Sequence, residues 1–184
     1  GTYIAETGTW MTVRSGIDSN LNGDPVADRT IINPSGDASR GSAVTPLCRG
    51  GLTGTACTAA EIVGYVAVDP GARYIQAGNG VFPNGGRNTL RGPGINNFDF
   101  SAAKRFNFTE RSFFEFRGEF YNALNKAQFI PGFPSVANGR SRATQAVDRL
   151  VTVTTPSFNQ PNLTFQSNAR TIQLVGRFQF CGPS

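Results

Sequence analysis

The chain has 184 residues, the length of one domain or of a part of a larger protein, and a composition that favours β-structure with long connections. It contains 22 glycines, 11 prolines and 15 phenylalanines, and only 16% of its residues are charged. The absence of histidine excludes Ser-His-Asp and Cys-His catalytic arrangements and histidine-based zinc sites. The net charge of +5 comes mainly from arginines that are spread singly along the chain, so we expect no nucleic-acid partner.

Four long strands are predicted, near residues 2–13, 95–106, 112–124 and 170–180. The third strand alternates most clearly. One of its faces carries Phe114, Phe116, Gly118 and Phe120, and the other carries Glu115, Arg117, Glu119 and Tyr121. This alternation is typical of a strand between lipid and a polar lumen, and also of a half-buried strand in a soluble sheet.

The segments between these strands are rich in Gly, Pro, Asn, Asp and Ser, and two long irregular loops are therefore predicted at residues 14–87 and 125–167. A short helix is expected at residues 59–68, with Thr58 as its N-cap and Glu61 as the capping-box partner. The predicted fold class is mainly β, in a single segment. It is an antiparallel sheet of about four long strands with two long loops and one short helix, as part of a barrel or of an intermolecular β-assembly.

Two of the three cysteines flank a glycine-rich loop. Cys48 and Cys57 enclose the sequence RGGLTGTA, and we predict that they form a disulfide in an oxidising compartment. Two free thiols are the alternative. Cys181 then has no partner within the chain, and is either free or paired between chains.

One loop resembles the first half of an EF-hand calcium loop. Its oxygen-bearing side chains stand at alternate positions around a glycine, with a further carboxylate downstream: Asp18, Asn20, Asn22, Asp24 and Asp28. Calcium is therefore the one candidate cofactor, although Arg29 stands where the closing glutamate is expected. The alternative is a loop in which these side chains bind their own backbone in Asx-turns.

Several blocks of the sequence resemble the C-terminal part of TonB-dependent-receptor-like outer-membrane proteins. The blocks are SGIDSNLNGDPVADR, ARYIQAGNG, GRNTLRGPGINNFDFS, FRGEFYNALNKAQF and SNARTIQLVGRFQF, in this order along the chain. The nearest group is the Oar-like one with a carboxypeptidase-regulatory-like domain, of acidobacterial type. The resemblance implies the last strands of a large barrel, a terminal aromatic assembly signal at Phe178 and Phe180, and a place in the bacterial outer membrane or at the cell surface. It implies no catalytic residues, and the remainder of the barrel would be the partner.

A second hypothesis is a separately processed, self-assembling extracellular filament subunit. Four strands do not close a barrel, so their outer strands expose unpaired backbone groups that pair with copies of the same chain. No enzyme activity is expected in either case. Glu115 and Glu119 are spaced like a glycosidase pair, but Arg117 between them favours a solvated charged face.

Overall fold

The computed structural model describes residues 1–24, 28–54, 57–129, 136–137, 140–141, 148–165 and 167–180, and it is mainly β. Its strands in chain order are β1 (Thr2–Glu6), β2 (Trp10–Met11), β3 (Ile31–Ile32), β4 (Asp37–Ser42), β5 (Val44–Cys48), β6 (Ile62–Ala67), β7 (Ala72–Ile75), β8 (Leu90–Arg91), β9 (Ile95–Thr109), β10 (Ser112–Tyr121), β11 (Val136–Ala137), β12 (Arg140–Ser141) and β13 (Thr171–Phe180). The helical parts are short: a 3₁₀ turn at Ala59–Glu61, residues 148–151, and one turn at Pro161–Thr164.

The chain folds into two compact units. The first comprises Gly1–Thr7, Pro93–Ile130 and Gln166–Ser184. The second comprises Gly8–Gly92 and Pro131–Phe165, which are largely the two predicted loops.

The first unit contains a four-stranded antiparallel sheet in the order β1-β9-β10-β13. β9 and β10 are joined by the two-residue turn Glu110–Arg111, and a register shift follows at Ser112 and Phe113. β10 pairs along its whole length with β13, from Ser112 opposite Phe180 to Tyr121 opposite Thr171. Three of the four predicted strands therefore lie where the alternation places them, with β9 three residues longer than expected.

The predicted first strand, residues 2–13, is interrupted. β1 pairs with β9, whereas β2 pairs with β8 in a separate two-stranded sheet. Between them the Gly92 amide donates a hydrogen bond to the Thr9 carbonyl at 2.8 Å. The break lies at residues 7–9, which belong to neither strand.

The predicted helix at residues 59–68 is wrong beyond its first turn. Thr58 and Glu61 form the expected capping box, and the hydrogen bond from the Thr58 amide holds the pKa of the Glu61 carboxyl below its usual value. Because this pKa is lowered, the contact is present at neutral pH and is lost as the pH falls through it. Ile62–Ala67 is then a strand that pairs antiparallel with β5, because its β-branched and aromatic residues suit a pleated surface better than a helix.

The prediction of irregular structure at residues 14–87 and 125–167 is also wrong in large part. The second unit has a three-stranded sheet in the order β3-β7-β4, in which β4 runs parallel to β7, and a hydrophobic core of its own. Both predicted loops contribute to this core, which consists of Val13, Tyr74, Leu90, Val151, Val153 and Phe158. Backbone bonds between Arg14 and residues 151 and 153 connect the two loops.

Candidate functional site

The four-stranded sheet has one almost entirely apolar face, which we call the apolar face. Residues directly opposite each other in the register share a face, so the pairing assigns every side chain. The apolar face consists of Tyr3, Ala5, Asn96, Phe98, Phe100, Ala102, Lys104, Phe106, Phe108, Ser112, Phe114, Phe116, Gly118, Phe120, Ile172, Leu174, Gly176, Phe178 and Phe180. Aromatic residues occupy both ends of it, and its middle holds the smaller or aliphatic Ala102, Gly118, Leu174 and Gly176 together with Phe116 and Lys104.

Most side chains of the apolar face are exposed to solvent. Leu174 is 64% exposed, Phe178 58% and Phe180 71%. All buried apolar residues of the described ranges lie in the second unit. A sheet that exposes a continuous apolar surface and buries no core requires an apolar environment outside itself.

The opposite face of the sheet, the polar face, carries a ladder of charges on β9 and β10. Arg105 lies 3.3 Å from Glu115, and Arg117 bridges Glu115 at 3.4 Å and Glu119 at 3.3 Å. The Tyr121 hydroxyl donates to Glu119 at 2.9 Å and extends the ladder. Arg117 thus lies between the two glutamates, as the interpretation of a solvated charged face requires.

A network of amide side chains closes the sheet at the end opposite the Glu110–Arg111 turn. Asn122 is 2% exposed and has a positive φ of 50°, which ends β10. Its Nδ2 donates to the carbonyls of Lys126 and Asn168, and its own amide donates to Asp99. The Gln128 side chain accepts from the Asn96 amide at 2.7 Å. These bonds fix the strand ends from which the long connections leave.

The lengths of β10 and β13 and the connections of the sheet match a membrane-spanning meander. β10 and β13 have 10 residues each, within the 9–11 that a tilted transmembrane strand needs. The sheet has a two-residue turn at one end, and at the other end the long connections between β1 and β9 and between β10 and β13. Short turns on one side and long loops on the other are typical of outer-membrane barrels.

Comparison with protein families matches residues 1–173 to the outer membrane beta barrel domain. The chain belongs to this family. Its place is the bacterial outer membrane. No curated protein and no solved structure matches it. Within the described ranges, no helix has the length and apolar character needed to cross a membrane.

The predicted disulfide is present in this outer-membrane protein. Cys48 and Cys57 are joined, with their Cα atoms 5.8 Å apart. The bridge closes a loop at the end of β5, and Gly50, Gly51 and Gly54 in that loop have positive φ angles. Cys181, like the rest of residues 181–184, lies outside the described part of the chain.

We expect reduction of this disulfide, or the Cys57→Ser substitution, to destabilise the second unit by about 2.5 kcal/mol, since the bridge closes a loop of about ten residues. The loss should appear as a lower unfolding temperature and faster amide exchange in β5 and β6. Cys181→Ser serves as the control and should change neither. Equal stability with and without reductant would contradict a stabilising role.

Four of the five candidate calcium residues, Asp18, Asn20, Asn22 and Asp28, accept hydrogen bonds from backbone amides of the loop through their side-chain oxygens. Asp18 accepts from the amides of Asn22 at 3.0 Å and Gly23 at 2.7 Å, and the Asn22 side chain accepts from the Asp24 amide at 2.8 Å. Asp28, buried at 6% exposure, accepts from the Asn20 amide at 2.8 Å. The described residues contain no group of three or more His, Cys, Asp or Glu side chains suited to a metal. The contacts are those of the Asx-turn alternative, and calcium binding stays a prediction.

The calcium hypothesis predicts that millimolar calcium raises the unfolding temperature and that Asp18→Asn removes the rise, because the substitution takes away a charged ligand. Thermal unfolding in calcium, in magnesium and in chelator measures this. Equal unfolding temperatures in calcium and chelator would leave the Asx-turns as the full account of the loop.

The sequence blocks singled out by resemblance contact one another within each unit. The Ser15 hydroxyl accepts from the Ala77 amide at 2.9 Å, and the Ser19 hydroxyl donates to the Ala77 carbonyl at 2.7 Å. Both serines are fully buried. In the first unit, Asn122 and Gln128 join the blocks that contain β9, β10 and β13. Sequence patterns missed these polar residues, because a buried amide has no periodic signal.

Proposed function

We propose that the chain forms the C-terminal strands of the barrel of a TonB-dependent-receptor-like outer-membrane protein, and that it has no enzyme activity of its own. In this proposal the apolar face contacts lipid and the polar face lines the lumen. The rest of the barrel pairs with the outer edges of β1 and β13.

The apolar face is the observation that carries the proposal. A soluble sheet of this size would bury its phenylalanines against a second layer, as the second unit buries Tyr74 and Phe158. Here most side chains of the apolar face are exposed, while the charges on the opposite face compensate one another. Lipid outside and a polar lumen inside satisfy both faces.

The connections define an orientation. The Glu110–Arg111 turn would face the periplasm, and the second unit would form from two extracellular loops. A disulfide in that unit fits this placement, since disulfides persist in oxidising surroundings.

The experiment is to isolate outer membranes and determine the intact mass of the native polypeptide that carries this sequence. A receptor predicts a chain several times longer than 184 residues, in the detergent-extracted membrane fraction. Recovery of a polypeptide of about this length from the soluble fraction would overturn the proposal.

The free sheet edges favour a second candidate, the self-assembling filament subunit. Within the described residues, β1 and β13 each pair on one side only. An open edge strand is a template for another chain, and a head-to-tail contact that does not close gives a filament. In this case the apolar face would be covered by a neighbouring copy.

Size measurement in detergent-free buffer separates the two candidates. A filament subunit gives large, regular assemblies without lipid, whereas a barrel segment needs detergent to stay dispersed. A monodisperse monomer in plain buffer would contradict both.

A further inference from the structure

The apolar face carries one charged side chain, Lys104. It lies in the middle of β9, opposite Phe116 on β10 and in the same row as Gly176 on β13. Its side chain is exposed, and it forms no ion pair or hydrogen bond with any described residue. The other sheet cations, by contrast, lie on the polar face, where Arg105 and Arg117 are paired with glutamates.

An unpaired cation on a lipid-facing surface is unfavourable unless it reaches an anion. No carboxylate lies on the apolar face, so the sheet supplies no partner. Lysine side chains relieve this cost by extending toward the headgroups while the methylene stem stays in the apolar layer.

The position of Lys104 favours the turn side of the membrane. Lys104 stands four residues before Phe108, at the turn end of β9, and six residues after Phe98, toward the other end. Four residues of a strand tilted by about 45° span roughly 10 Å along the membrane normal. An extended lysine side chain reaches about half of the way from the β9 backbone to the level of Phe108. Local thinning of the bilayer shortens the remaining distance to the headgroups.

Phe108, Phe178 and Phe180 form an aromatic belt at the turn end of the sheet, toward which the Lys104 ammonium group extends. Phe108 and Phe178 lie 6.2 Å apart, and Phe178 and Phe180 lie 5.9 Å apart, measured between ring centroids. Aromatic girdles mark the boundary between hydrocarbon and headgroups in membrane barrels. Phosphate oxygens are the anions present at that boundary.

We propose that Lys104 and this aromatic belt form a binding site for an anionic phospholipid of the periplasmic leaflet, whose phosphate pairs with the Lys104 ammonium. The site rests on the proposed function, since it requires the apolar face to contact lipid. The proposal goes beyond the proposed function, because a protein can insert into a membrane without preferring one lipid headgroup.

The test uses the full native protein in lipid nanodiscs made of phosphatidylcholine with a minor fraction of phosphatidylglycerol. Lipid that stays bound to the protein after release from the discs is quantified by native mass spectrometry. We expect phosphatidylglycerol to be enriched about fivefold over its bulk fraction, the preference that corresponds to one lysine near an anionic surface.

Three variants identify the group responsible. Lys104→Leu should remove the enrichment, and Lys104→Arg should keep it. Arg177→Gln changes a cation of the same sheet on the polar face and should leave it unchanged. If Lys104→Leu assembles poorly, Lys104→Gln replaces it.

Two results would overturn the proposal: insertion without any phosphatidylglycerol enrichment, or an enrichment that the loss of Lys104 does not reduce. A protein that does not enter the discs at all overturns the proposed function, and the lipid site with it.

Discussion

Leu174→Arg is expected to block assembly into the membrane, or to lower the stability of the assembled protein by about 2–4 kcal/mol, the cost of an arginine on the lipid face near the bilayer midplane. Leu174 lies in the central part of β13, opposite Gly118, and is 64% exposed on the apolar face. No acidic side chain on that face is available to pair with the new charge. Heat-modified mobility of the protein extracted from outer membranes, together with denaturant titration in detergent micelles, measures the loss.

The matched control for Leu174→Arg is the neighbouring residue of the same strand. Gln173 is on the polar face, directly opposite Glu119, so Gln173→Arg places the same charge beside a carboxylate. The control should assemble normally and differ from the native protein by less than about 1 kcal/mol, the usual value of an exposed ion pair. Equal behaviour of the two variants would show that the two faces do not meet different surroundings, and the lipid-facing assignment would be abandoned.

The strands of the sheet could be predicted because their signal is local. The period-two alternation of β10 assigns Phe116 to one face and Arg117 to the other, and the antiparallel pairing extends the same assignment to β9 and β13. The predicted end of the second strand, residue 106, lies three residues before the end of β9 at Thr109. The sequence pattern does not tell which surroundings each face contacts. Apolar and polar residues alternate in the same way in a strand that faces lipid and in a strand that packs on a protein core.

The second unit could not be predicted because its stabilising contacts join distant residues. The run Ile62–Ala67 is short and apolar, and such runs suit a helix or a strand equally. Its pairing with Val44–Cys48 makes it a strand, and the sequence contains no local sign of that pairing. Likewise, Val151 and Phe158 lie in a polar segment without periodicity, and they join a core whose other part, Val13, Tyr74 and Leu90, is more than 60 positions away.

The candidate sites also differ in whether the local sequence was enough to predict them. The disulfide between Cys48 and Cys57 was predicted because two cysteines close in sequence meet with little loss of chain entropy. The spacing of Asp18, Asn20 and Asn22 predicted that their side-chain oxygens lie in one loop, as they do. It did not indicate that backbone amides inside the loop take up those oxygens.

Phe158→Ala is expected to destabilise the second unit by about 3–5 kcal/mol, the usual cost of truncating a buried phenylalanine. Phe158 is 7% exposed, packs edge-on against Tyr74 with ring centroids 5.9 Å apart, and lies in the core of the unit. Gly41 leaves the space that this ring occupies, since a Cβ there would approach the ring to 2.7 Å. The substitution would therefore leave a cavity between Gly41, which lies in the connection from β1 to β9, and residue 158, which lies in the connection from β10 to β13.

Amide hydrogen exchange of the membrane-embedded protein shows which strands lose stability in the Phe158→Ala variant. Exchange should accelerate in β3, β4 and β7, because these strands lose the Phe158 side of their core, while β10 and β13 keep their protection. Phe82→Ala is the control: Phe82 is 82% exposed and should change exchange nowhere. Were Phe158→Ala to leave the protection of β7 unaltered, the two long connections would not share one cooperative core. Were it to expose β10 as well, the sheet would depend on that core rather than on the membrane, and the assignment of its apolar face to lipid would lose its basis.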